Sequence, residues 1–209
     1  MKYLSFIVLF ALVGCSPKLT KNWTSEKYTS RSFKKIAVVA VTKDLNVRKE
    51  FENQAIKLLK KRGINVIEGI KVFPPGMTEA EKQPKNLIKL IKAHQIDGVI
   101  TMSLVDQSKS MRYIPKENVT VPSEYDQYGK FTFMRYESIQ KSGYFIESKR
   151  YLIEAVLHDL KGELYEGKKT LVWIGQSTLV DPKSVGKAAK KFVRRMVNGI
   201  VASKVINSK

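Results

Sequence analysis

Between residues 33 and 105 two hydrophobic patterns alternate, and that alternation leaves few folds open. Residues 33–42, FKKIAVVAVT, make a β-branched apolar run of strand length, the composition of a strand covered on both faces. Asp44 then stands where a helix needs its N-cap, and Val47, Phe51, Ala55, Leu58 and Leu59 recur at helical spacing until Gly63 stops the run. A second strand is expected over 64–67. A turn through Phe73, Pro74, Pro75 and Gly76 leads to a second helix carrying Leu87, Ile88, Ile91 and His94, then to a third strand over 98–105. Strand, helix, strand, helix, strand with short links predicts an α/β layer with parallel pairing and right-handed crossovers. The link after the first strand, VTKDLN, has no glycine to let a backbone approach a pyrophosphate, which argues against P-loop or dinucleotide binding.

After Asp106 the pattern changes. Residues 106–149 mix aromatics with polar residues and are interrupted by Pro115, Pro122 and Gly129, so they read as a long excursion or hairpin. Two strands, 150–159 and 170–180, follow as an antiparallel pair, joined through Gly162 and Gly167. Ser184 can cap a last helix reaching about Lys204, whose stripe of Val185, Ala189, Phe192, Val193, Met196 and Ile200 should dock on the sheet. The expected fold class is therefore α/β. A mixed sheet is built from a βαβαβ first half, an antiparallel strand pair and a C-terminal amphipathic helix, in one domain over 33–209.

The single cysteine, Cys15, stands behind a short apolar run. Met1 and Lys2 give a positive start, residues 3–13 are nearly all apolar, and Gly14 precedes the thiol. This is the pattern of a secretory signal over residues 1–14; the run is shorter than the roughly 20 apolar residues of a bilayer span. Leu12-Val13-Gly14-Cys15 resembles the lipobox of bacterial lipoproteins, in which the cysteine is acylated and becomes the new amino terminus. The resemblance implies a lipid anchor at Cys15. With Ser16-Pro17-Lys18 in place of an aspartate after the cysteine, it also implies the periplasmic face of the outer membrane. Residues 15–32, rich in Ser, Thr and Lys, read as a tether. With its one cysteine lipidated, the mature domain has no thiol for a disulfide or a thiolate metal site.

The stretch HDLKGELYEGKKTLVWIGQSTLVDPKSVGKAAKKFVRRMV, from His158 onward, resembles bacterial outer-membrane lipoproteins. These pair "Tyr-Asp-Leu-Lys" and "Lys-Leu-Val-Trp-x-x-Gln-Ser" strands with a final amphipathic helix, and His158 stands here in place of the tyrosine. More distantly the layout is similar to the periplasmic domain of the curli-secretion lipoprotein and to the amino-terminal domain of the Tol-system propeller protein. The resemblance implies no activity, and no family role for any residue except the lipidated cysteine.

Little in the chain points to catalysis. His94 and His158 are the only histidines, and without an HxxxH or HxxE spacing they make no metal site; no cofactor is expected. Glu79 with Glu81, and Glu163 with Glu166, fall in turn or helix-start segments where solvated carboxylates belong. Trp173 reads as core. Charge is the remaining signal: removing residues 1–14 takes one lysine from 38 basic residues and none of 19 acidic ones, leaving 37 − 19 = +18. Lys187, Lys191, Arg194 and Arg195 on the last helix are expected to face out, toward anionic lipid or an acidic envelope protein rather than nucleic acid. The reading is of a lipid-anchored envelope protein that binds or assembles without catalysis. An envelope-modifying hydrolase using carboxylates, or a secretion-pore or assembly subunit, are the alternatives.

Overall fold

A computed structural model describes residues 19–26, 28, 30–128, 131–161 and 170–207. Cys15, the lipobox and the Glu163 and Glu166 pair lie outside them. The first strand, β1 (Lys21–Thr24), is followed by β2 (Ile36–Val41), α1 (Leu45–Lys60), β3 (Val66–Glu68), α2 (Gly69–Val72) and α3 (Pro84–Ala93). Then come β4 (Gly98–Ile114), β5 (Glu117–Tyr128), β6 (Phe131–Lys141), β7 (Tyr144–Asp159), β8 (Leu171–Val180) and α4 (Val185–Ala202). Six strands form one sheet in the order β1-β8-β7-β4-β2-β3, and β5 pairs with β6 alone. Strand β2 is parallel to both β3 and β4, while β7, β8 and β1 are added antiparallel. The expected mixed α/β sheet with its terminal helix docked is the fold observed.

Local chemistry explains the element boundaries. The Asp44 carboxylate accepts the Asn46 and Val47 backbone N–H groups at 2.8 and 3.0 Å, satisfying donors that the first turn of α1 leaves open. The Ser184 hydroxyl does the same for Lys187 at 3.2 Å. Gly63, at φ 73°, turns the chain out of α1 in the left-handed conformation that glycine adopts without strain. Helices α1 and α4 lie side by side on one face of the sheet. Phe51, Ala55, Leu59, Phe192, Met196 and Ile200 pack there onto Ile36, Val38, Ile100 and Leu157. A smaller core of Ala37, Val72 and Ile96, with Leu90 and Ile91 of α3, covers part of the other face.

Trp173 is fully buried near the start of β8, and its indole N–H donates to the Ser203 hydroxyl at 3.0 Å. Its ring lies against two glycines. A β-carbon on Gly175 would sit 2.2 Å from the ring, and one on Gly199 would sit 3.1 Å from it and 2.4 Å from Leu19. Leu19 therefore seals the tryptophan, and it does so from within the segment expected to be tether. That expectation is corrected here: β1 adds to the exposed edge of β8, because an unpaired edge of N–H and C=O groups is satisfied by any extended segment that reaches it.

The excursion over 106–149 is also more regular than expected. The third strand runs on to Ile114 and is matched by β7 from Tyr144, so the two leave the sheet as a ribbon. Six pairs, from Lys109↔Lys149 to Ile114↔Tyr144, lie beyond the last β8 partner, Arg150↔Val180, and extend on the order of 20 Å. Strands β5 and β6 form a second two-stranded ribbon between them in sequence.

Candidate functional site

One end of the sheet collects the features that could meet a partner. Strands β2 and β8 finish there, β4 and β7 continue outward as the ribbon, and α1 and α4 begin there. Because β1 runs antiparallel to β8, β1 begins toward this same end. Thr20 donates its N–H to the Gln176 carbonyl at 2.8 Å, and its hydroxyl accepts the Thr178 N–H at 3.1 Å.

Between the starts of α1 and α4 lies a groove of about 490 Å³, within the roughly 300–1,000 Å³ of small-molecule sites. Its walls include Ala40, Phe51, Met102, Ile153, Leu179 and Ala188, with Leu104 and Val185 at its rim exposed by 52 % and 44 %. Val185 was expected within the docked stripe of α4. It stands instead at the groove mouth, because the sheet ends before the helix does.

The wall at Ala40 is held by Glu52, which is fully buried. Its carboxylate accepts the Ala40 N–H at 3.1 Å, the Arg48 Nε–H at 2.9 Å and the Ile70 N–H at 2.8 Å. Arg48 also donates to the Phe73 carbonyl at 2.8 Å, so one ion pair joins β2, α1 and α2. Sequence reading passed over Glu52; its signal was an arginine four residues earlier on a helix face that also carries Phe51 and Ala55.

The basic residues of α4 divide. Lys187, Lys191 and Arg194 are exposed, on a helix of 18 residues that carries no acidic side chain. Arg195 does not join them. Its Nη1 donates to the Ser177 hydroxyl at 2.5 Å and to the Thr178 carbonyl at 3.0 Å, and its Nε is buried without a partner. The expectation that Arg195 faces out is corrected: it lies at the margin of the docked stripe and its guanidinium ties α4 to β8.

On the ribbon, Met111, Tyr113, Tyr144 and Phe145 are each at least half exposed, and the Tyr113 and Phe145 rings pack tilted, with centroids 5.1 Å apart. At its root the Lys149 N–H and the Ser148 hydroxyl donate to Asp181 and hold that carboxyl below its ordinary range. Lys149 also lowers Glu147 by donating to it.

The opposite end of the sheet carries two neighbouring carboxylates. Asp97 accepts the Lys34 and Lys35 N–H groups at 2.9 and 3.0 Å; Asp159 accepts the Lys161 N–H at 2.9 Å and the Tyr28 hydroxyl at 3.1 Å. Burial, and then Asp159, push the Tyr28 hydroxyl well above its ordinary value. These acids staple loops to the sheet. Glu79 and Glu81 are exposed, with Lys82 and Thr78 as partners. His94 is half-buried at the end of α3, where its carbonyl accepts the Lys35 ammonium at 2.9 Å. His158 contacts the Thr170 hydroxyl at 3.0 Å, and burial lowers its pKa. Among the described residues no three His, Cys, Asp or Glu side chains gather as a metal would require, and no helix is long and apolar enough to cross a membrane.

No protein-family model matches the chain, and no curated protein does. Among solved structures it is similar to a single-substitution form of the PelC dodecamer from Paraburkholderia phytofirmans, at 12 % identity over 86 % of this chain and 96 % of that one, with a TM-score of 0.44. A second crystal form of the PelC dodecamer gives 10 % identity over 86 % and 94 % of the two chains, with a TM-score of 0.43. The lipoprotein GNA1162 from Neisseria meningitidis gives 17 % identity over 80 % of this chain and 98 % of that one, with a TM-score of 0.40.

Proposed function

We propose that this chain is an envelope lipoprotein, anchored through acylated Cys15 at the periplasmic face of the outer membrane, that acts by binding or assembly and not by catalysis. The observation that carries the reading is that β1 begins toward the end of the sheet from which the ribbon leaves. Cys15 lies four residues before Leu19, a reach of at most about 14 Å. The free part of the first ribbon is on the order of 20 Å long, so a domain held by Cys15 presents the ribbon on the membrane side. An isolated two-stranded ribbon is marginal in water, and its two unpaired edges are templates for further strands. Both properties support a role as a contact element.

The test places a photocrosslinking residue at Met111 or Phe145 on the ribbon, and at Lys57 on the helix layer as a control, in the full chain in its own envelope. Crosslinks from the ribbon positions well above the control are expected. Equal or absent crosslinking at the ribbon sinks the assignment, while a mass spectrum of the mature protein lacking acyl groups on Cys15 sinks the anchor. A second reading, a pore or assembly subunit, is favoured by β5 and β6, whose 12 and 11 residues meet the roughly 9–11 that a membrane-crossing strand requires. Its sequence support is partial, since FTFMRY alternates only briefly.

A further inference from the structure

From the groove's position we infer that it houses an acyl chain of the protein's own lipidated Cys15, an inference that rests on the anchor reading above. Three observations lead there. The groove is walled mainly by aliphatic and aromatic side chains, Ala40, Phe51, Met102, Ile153, Leu179 and Ala188, and is large enough for a chain-like apolar ligand. It opens at the end of the sheet toward which β1 begins. Finally, the distance can be covered: Thr20 bonds Thr178, the neighbour of the groove residue Leu179, and Cys15 lies five residues earlier, within about 17 Å. From β1 to β7, on the groove floor, is two strand spacings, about 10 Å.

An acyl chain suits this groove for a physical reason. The rim exposes Leu104 and Val185 to water, and a chain lying in the groove takes that apolar surface out of water. A triacylated cysteine can place one chain here and leave the others in the bilayer, which would fix the domain's orientation on the membrane instead of leaving it on a free swivel.

The experiment feeds cells a fatty acid with a photoactivatable tail, irradiates them, and maps crosslinks on the full-length protein by mass spectrometry. The expected product joins the Cys15 lipopeptide to a groove peptide from residues 40–51, 102–104 or 179–188 of the same molecule. In Val185→Glu that product should fall about tenfold, the change that loss of roughly two buried methylenes brings. The glutamate sits in the first turn of α4, where an acid suits the helix dipole, so the fold is expected to persist. Leu104→Glu, from the opposite rim, gives a second variant if the first melts early. Groove peptides linked to phospholipid, or to the lipopeptide of another copy, would overturn the assignment of the occupant. Lipopeptide links confined to phospholipid would overturn the groove and leave the anchor standing. A Cys15 without acyl groups would overturn both.

Discussion

Removing the Glu52 carboxylate should cost more than removing any other single charge among the described residues. In Glu52→Ala the Ala40 and Ile70 N–H groups lose their acceptor and Arg48, whose side chain is 11 % exposed, loses its partner. Deleting one member of such a buried pair costs about 3–5 kcal/mol, and each orphaned donor alone accounts for roughly 1–3. For a domain of this size 1 kcal/mol moves the melting temperature by about 2–4 °C, so the variant should melt roughly 6–20 °C lower. Glu52→Gln keeps the shape and one acceptor but turns an amide NH₂ toward a donor, and should lose about 1–3 kcal/mol. Thermal and urea unfolding measure both, and an Arg48→Met single and double cycle isolates the pair, with a coupling of about 0.5–3 kcal/mol expected. A loss under about 1 kcal/mol in Glu52→Ala would refute the reasoning, since it would mean that water or a shifted side chain replaces the carboxylate without penalty.

Three further outcomes follow from the same geometry. A protein beginning at Arg31 lacks β1 and Leu19, which uncovers the β8 edge and the Trp173 ring; it should unfold roughly 3 kcal/mol more easily than one beginning at Leu19, by urea titration. Burial holds the His158 pKa below its ordinary 6.5, so the unfolded chain binds more protons below that pH. Stability should then fall as pH drops below about 6.5 toward the folded pKa, and His158→Gln should flatten that limb in pH-dependent melts without touching the carboxylate-dependent loss at lower pH. Replacing Lys187, Lys191 and Arg194 with glutamate should abolish low-salt binding of the unlipidated domain to anionic vesicles, whereas Arg195→Met should leave binding intact and lower the melting temperature.

The parts of this fold that were legible are those where one residue type has one physical use. FKKIAVVAVT reads as a buried strand, observed over Ile36–Val41, and Asp44, Gly63 and Ser184 marked helix ends because caps and left-handed turns admit few residues. The parts that were not legible lack such a signal. Strand β1, KNWT, is four residues on an edge, with one large apolar side chain, and its identity comes from the β8 groups it satisfies. The ribbon carries no sustained alternation, since neither of its faces packs on the domain's core. Arg195 lies about 80° around α4 from Lys187, on the flank nearer Phe192 and Met196, a position from which helical period alone cannot say whether the side chain turns to water or to the sheet. Glu52 carries no motif in the sequence, and its role comes from the three donors that the fold gathers around it.

The same helix geometry gives the charged stripe a graded role. From the start of α4, at the ribbon end of the sheet, the rise of about 1.5 Å per residue places Lys187 about 3 Å along, Lys191 about 9 Å and Arg194 about 14 Å. Screening at physiological salt limits each charge to about 8 Å. If the domain stands on that end, Lys187 acts on the headgroups, Lys191 lies at the limit of screening and acts less, and Arg194 acts weakly, so single glutamate substitutions should weaken vesicle binding in the order Lys187, Lys191, Arg194. If the domain instead lies on its helix layer, the three should be equivalent, joined by Lys57 and Lys61 on α1 and its cap, which are exposed as well. A salt titration of each single variant separates the two poses. An equal loss at all five positions would remove the upright orientation on which the membrane-side placement of both ribbon and groove depends.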